Sequence, residues 1–193
     1  MIPIELTLET SRVILRPVIE EDYNTFLHLT QDEDMWKFFA VNLSDPENLK
    51  KWMALILSEK AAGTRHPFTI IDKTSGKIAG SMSMLNISYH DLRLEIGTSW
   101  LGKEYRSTGL NRHAKYAMMK YAFEEMKFER VEYKTDVENI RARKGLQNIG
   151  GIEEGIFRSH MTMWNNRRRS SIFYSIIKNE WPALCQTIFK DIE

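Results

Sequence analysis

Hydrophobic positions alternate through "SRVILRPV", residues 11–18, and β-branched side chains are frequent there, which predicts a first strand. Pro17 has no N–H to give a ladder, so the strand should end there or run at an edge. In "IEEDYNTFLHLTQ" the spacing lengthens: Tyr23, Phe26, Leu27 and, less regularly, Leu29 recur at helical intervals. "LSDPENLKKWMALILSEKAAG", residues 43–63, carries more helix signals. Ser44 and Glu47 have capping-box spacing, Pro46 sits in the first turn, and Gly63 lies where a stop belongs. "HPFTIIDKTSGKIAGSMSML" predicts a hairpin whose turn "DKTSGK" uses Gly76 at positive φ.

"LRLEIGTSWLG" predicts another strand, ending near Gly102, and "EYRSTGLNRHAKYAMMKYAFEEM" predicts a loop that opens a long amphipathic helix. "FERVEYKTDV" reads as a strand. "NIRARKGLQNIGG" reads as a short helix, with Asn139 as N-cap and Gly150 or Gly151 as stop. "GIEEGIFRSHMTM" and "SSIFYSII" read as strands joined by the turn "WNNRRR", and the terminal "KNEWPALCQTIFKDIE" as a helix broken around Pro182. Hairpin-linked strands followed by helix-linked strands imply an α+β fold, a mixed sheet with helices packed on it.

The 193 residues suit a single domain, 1–193, with its core at about 8–182. Hydrophobic residues make up 42% and charged residues 27%, which excludes a disordered chain. A net charge of +1 gives no global field for nucleic acid or an anionic membrane. The lone Cys185 cannot form an internal disulfide, and no apolar run is long enough for a bilayer, so a cytoplasmic protein is expected. The five histidines are dispersed without ligand spacing, so no metal is expected. "Arg167-Arg168-Arg169" lies in a turn and reads as a solvated cluster, not an RNA contact.

The loop before the long helix carries the chemistry. A helix N-terminus has unpaired N–H groups and a partial positive charge. Small residues before it let an anion approach the main chain. Arg106-Ser107-Thr108-Gly109-Leu110-Asn111 therefore reads as a phosphate cradle.

This hexapeptide resembles the Arg/Gln-x-x-Gly-x-Gly/Ala signature of GNAT-superfamily N-acetyltransferases, in particular the branch that includes ribosomal-protein N-terminal acetyltransferases. The flanks agree: "LEIGTSWLGKEYRSTGLN" resembles that branch's strand and loop, Asn139-Ile140-Arg141-Ala142 its helix start, Ile149 to Gly155 its Gly-Phe-x-x-Glu-Gly turn, and the tail its closing hairpin. The resemblance implies a twisted mixed sheet flanked by helices, with acetyl-coenzyme A in a cleft at the strand–loop–helix turn. It implies transfer of the acetyl group to a primary amine, a protein N-terminus (a ribosomal protein among them) or a small molecule. A homodimer is left open, and a non-catalytic coenzyme A sensor is the alternative.

Carried onto this chain, the cofactor-binding residues are Ile96, Gly97, Trp100, Leu101, the loop Arg106, Ser107, Thr108, Gly109, Leu110 and Asn111, and Asn139. An amide near Ile96 or Gly97 polarises the acetyl carbonyl. Lys103, Arg112 and Lys115 surround the loop, but of the cations Arg106 is the expected phosphate partner. The acceptor amine must lose a proton, and Glu95, then Glu154, are the candidate bases. The competing reading of Glu95 is a carboxylate paired with Arg93 on its own strand face. Ala142 and Leu146 stand where relatives place the Ser or Tyr that protonates the thiolate, which leaves the general acid open. Residues 20–62, with Trp36, Phe38 and Phe39, and the Trp164 hairpin are expected to wall the acceptor site.

Overall fold

The computed structural model describes residues 2–192. Eight strands form one sheet: β1 (Leu8–Glu9), β2 (Val13–Pro17), β3 (Arg65–Asp72), β4 (Lys77–Ser88), β5 (Arg93–Leu101), β6 (Arg130–Asp136), β7 (Ile152–Thr162) and β8 (Arg168–Ile177). Their order across the sheet is β1-β2-β3-β4-β5-β6-β8-β7. Every neighbouring pair is antiparallel except β5 and β6. That parallel pair requires a crossover, which the long helix α3 (Leu110–Lys120) provides.

The parallel ladder is short. It joins Arg93 to Arg130, Leu94 to Val131 and Glu95 to Glu132, and then stops. Beyond it β5 runs on to Leu101 and β6 to Asp136, so the two strands part and the sheet is split along its middle. A bulge drives β5 away: between Ser83 and Ser81 of β4, β5 inserts an extra residue, and Thr98 there takes φ +48°. Gly80 makes the turn of the bulge possible, because a Cβ at that position would lie 2.1 Å from the Trp100 carbonyl oxygen.

Alternation then sends side chains to two cores. On one face Leu94, Ile96, Val131, Tyr133, Ile172 and Tyr174 pack under α3, α4 (Ile140–Gln147) and α5 (Trp181–Gln186). On the other, Trp100 joins Val18, Phe26, Trp36 and the buried face of α2 (Pro46–Ala61). Phe26 meets Trp100 edge-on at 5.0 Å, and both Phe26 and Trp36 are fully buried.

Several local expectations change in detail. The helix expected from residue 19 begins as a 3-10 turn, Glu20–Asp22, and α1 spans only Tyr23–Leu29. The N-cap of α2 is Asp45, whose carboxylate accepts from the amides of Glu47 and Asn48, and not Ser44, whose hydroxyl donates to Asn42. The residue before a proline is pushed to extended backbone, which is the N-cap conformation, so Pro46 selects Asp45. Pro182 does not break the last helix. It lies in the first turn of α5, where its missing N–H costs nothing. β8 begins at Arg168, so two of the three arginines of the "WNNRRR" turn belong to a strand.

Candidate active site

The loop between β5 and α3 is tightly folded. A 3-10 turn at Lys103–Tyr105 is followed by extended Arg106, then Ser107 at φ +62° and Gly109 at φ +91° as the N-cap of α3. These left-handed steps turn successive amides toward one side. Among the described residues, none accepts a hydrogen bond from the main-chain N–H of Ser107, Thr108, Gly109, Leu110 or Asn111. The Thr108 hydroxyl is tied to the Tyr105 carbonyl at 2.7 Å, which holds the turn closed behind them. A Cβ on Gly109 would touch nothing within 4 Å, so the space beside the loop is open at that residue.

Three of the cations around this cradle are used elsewhere, while Lys103 makes no ion pair or side-chain hydrogen bond among the described residues. Arg106, expected to pair with phosphate, donates to the Leu101 carbonyl at 3.0 Å, to Asp32 at 2.6 Å and to the Met35 sulfur at 3.1 Å. Its guanidinium holds Asp32 below the usual carboxylate range. Arg106 thus fastens the loop to the 3-10 turn Glu33–Phe38 and is a strut. Arg112 is likewise paired with Asp191. Lys115 is buried over the Tyr133 ring, 5.3 Å from its centroid, and burial lowers its pKa to about 8. The Tyr133 hydroxyl is buried without a partner, on the first β6 residue past the end of the parallel ladder.

Where the sheet splits, Ile96 points into the α3 core, and Gly97 carries no side chain toward the other face. Trp100 does not approach the cradle with its side chain, which lies in the α2 core on the opposite face. Leu101 contributes its carbonyl to Arg106. Asn139 caps α4, its Oδ1 accepting from the Ala142 amide at 3.0 Å.

Glu95 lies on the α2 side of the split and is almost fully buried. Its partner is not Arg93, which pairs with Glu132 and Asp91. Lys134 on β6 and Asn86 on β4 both donate to Glu95 Oε2, at 2.7 and 2.8 Å. Oε1 receives no hydrogen bond among the described residues and leans beside Gly97, where a Cβ would come within 2.9 Å of it. One oxygen is therefore clamped and the other is turned to the split.

Glu154, the second candidate base, is held in an ion pair. It is bound by both ends of the Arg130 guanidinium and by the Ser175 hydroxyl at 2.8 Å, at the closed end of the β5–β6 ladder. Arg130 holds it below the usual carboxylate range, which makes it a poor base at neutral pH. Tyr174 is fully buried; its hydroxyl donates to Glu153 at 3.2 Å and accepts from Arg143. The arginine cluster is corrected: Arg167 pairs with the buried Asp136, and Arg169 is itself buried. Sequence reasoning missed Asn86, Lys134 and Asp32 as the groups that orient Glu95 and Arg106. Only Lys134 had a signal, since it shares a sheet face with Glu132 by period two.

The split sheet, the loop of unpartnered amides and the buried carboxylate across the gap together form a cleft with anion-binding groups on one side and a proton acceptor on the other. The family model described as "Acetyltransferase (GNAT) domain" matches residues 12–152. The Bacillus subtilis protein YdaF, provisionally named a ribosomal N-acetyltransferase, is 25% identical over 172 residues, covering 81% of this chain and 93% of that one. A solved structure from T. thermophilus, provisionally named an acetyltransferase, has TM-score 0.88 and 25% identity, covering 99% of both chains. Mycobacterium smegmatis RimJ, solved in complex with CoA-disulfide, shares the fold, with TM-score 0.84 and 20% identity over 99% of this chain and 98% of that one. The chain belongs to the GNAT acetyltransferase family, and it is an acetyltransferase.

Proposed function

We propose that this chain transfers the acetyl group of acetyl-coenzyme A to a primary amine by direct attack in a ternary complex. The observation that carries the proposal is the row of unpartnered amides from Ser107 to Asn111 at the mouth of the split. Bare N–H groups on left-handed turns at a helix N-terminus fit a diphosphate. Bound there, acetyl-coenzyme A supplies an activated thioester.

The protein's own residues do the rest. β5 backbone near Ile96 and Gly97 lines the gap where the ladder ends and offers N–H donors for a carbonyl oxygen. Glu95 Oε1, free and turned toward Gly97, accepts a proton from the acceptor's ammonium. Lys134 and Asn86 fix the carboxylate so that only one oxygen is available. The Tyr133 hydroxyl, buried without an acceptor beside the end of the ladder, and Lys115 over its ring are candidate proton donors on the α3 face. In this reading they stand in for the family's Ser and Tyr, replaced here by Ala142 and Leu146.

The test is Gly109→Glu. A carboxylate among those amides should weaken coenzyme A binding by at least about 1000-fold, since it removes the anion site and adds a like charge. Titration calorimetry measures it. Unchanged affinity would place the ligand elsewhere and end the proposal.

A further inference from the structure

Arg169 is a buried cation with no anion of its own. It is 7% exposed and extends from β8 onto the sheet face that holds Glu95 and Lys134. Its Nη1 makes one long hydrogen bond, 3.4 Å to the Phe38 carbonyl. Its Nε is sealed from solvent without an acceptor. Its Nη2 has no protein acceptor among the described residues either, yet it is not sealed in.

The carboxylates nearby are committed. Asp136 is taken by Arg167 and by the Glu138 amide, and Glu95 by Lys134 and Asn86. His160, which also faces this region, is bonded to Ser171, and burial lowers its pKa toward the neutral ring, so it offers Arg169 no counter-charge. A guanidinium cannot shed its proton at physiological pH, and burying it unpaired works against folding. Such a cost persists where something other than folding uses the charge.

Resting on the acetyltransferase reading above, we propose that Arg169 binds a carboxylate on the acceptor, so that the substrate carries an amine for Glu95 and a carboxylate for Arg169. The guanidinium fork matches a carboxylate in two parallel hydrogen bonds. The place is suited to it. Trp164 Nε1 donates to the Trp36 carbonyl at 3.0 Å, which ties the β7–β8 hairpin to the Glu33–Phe38 turn, and Arg169 sits in that seam. Two sources share this chemistry: a free amino acid, and a peptide with Asp or Glu next to its free N-terminus.

Thiol release from acetyl-coenzyme A tests it, using amino acids of increasing amine-to-carboxylate length, acidic peptides, and the matched amides of both. The wild type should prefer carboxylate over amide acceptors by about 100-fold in kcat/KM, as expected where a buried charge is left unpaired by the wrong substrate. Arg169→Gln should erase that preference through KM and leave amide acceptors within about 3-fold. The length series and the peptides identify the source. Equal rates with acids and amides, or an equal loss on both in Arg169→Gln, would overturn the proposal while leaving the acetyltransferase standing.

If no amine releases thiol, the activity reading has failed. The subsite is then decided by calorimetry of N-acetylated acids and amides binding to the wild type and Arg169→Gln. Arg169→Met adds a folding control. It should raise Tm, because an apolar side chain replaces a buried charge that has no ion pair of its own, whereas a structural arginine would lower it.

Discussion

The two sides of the split use charge in opposite ways. Beside the loop, the guanidinium groups of Arg106 and Arg112 are occupied by Asp32 and Asp191, and the free groups are main-chain amides with Lys103 nearby. Across the sheet the main chain is occupied by the ladders, and the unsatisfied groups are side chains: Glu95 Oε1 and two nitrogens of Arg169. Each side also buries one unpaired cation, and these differ. Lys115 can lose its proton and needs no ligand, whereas Arg169 cannot. A backbone site recognises what every substrate of the family shares, and a side-chain site is where acceptors are told apart.

Lys115 offers the largest effect that separates these two kinds of buried charge. Its pKa falls from 10.5 to about 8 because burial disfavours the ammonium. The sign is therefore reversed from that of a paired lysine. The unfolded chain holds the proton more tightly, so stability is depressed below pH 8 and recovers as pH rises from 8 to 10.5. The penalty at pH 7 is about 3 kcal/mol by linkage. Lys115→Met should gain up to that amount at pH 7 in denaturant melts, with the gain shrinking above pH 8. A variant less stable than wild type at every pH would show that the contact with the Tyr133 ring outweighs the cost of burying the ammonium.

Glu95→Gln tests the other side. With one oxygen clamped and one free, the carboxylate should contribute about 100-fold to kcat as a base. The loss should be concentrated below the acceptor's own pKa, where the amine needs to be deprotonated. A pH–rate profile that keeps its shape in Glu95→Gln would leave the acceptor to ionise in bulk water.

The same contrast decides what could be read from sequence. The order of strands and helices was legible because burial follows periods of two and 3.6. The cradle was legible because left-handed turns at a helix mouth demand small residues, and Ser107 and Gly109 lie within one short run of the chain. On the other side only Glu95 could be named. Asn86, Glu95, Lys134 and Arg169 come from four strands and meet only through the sheet order β4-β5-β6-β8. Arg169 also stood in a run of three arginines that looked like a solvated turn, since no local pattern shows that β8 begins at Arg168. The Arg106–Asp32 pair was hidden for the same reason, because the two residues are 74 positions apart.

That pair gives the smallest and sharpest test of the comparison, because two readings of Arg106 predict opposite signs at Asp32. If Arg106 is a strut, Arg106→Ala and Asp32→Ala should each destabilise the fold by about 1.5 kcal/mol, the worth of a charge-assisted hydrogen bond, and their effects should couple in a double-mutant cycle. Both should weaken coenzyme A binding by less than about tenfold, through a loosened loop, with the salt dependence of binding unchanged. If Arg106 is a phosphate ligand, Arg106→Ala should cost far more, and Asp32→Ala should tighten binding by freeing the guanidinium and removing a negative charge. Tighter binding in Asp32→Ala would therefore return recognition of the diphosphate to side chains and erase the difference between the two sides of the split.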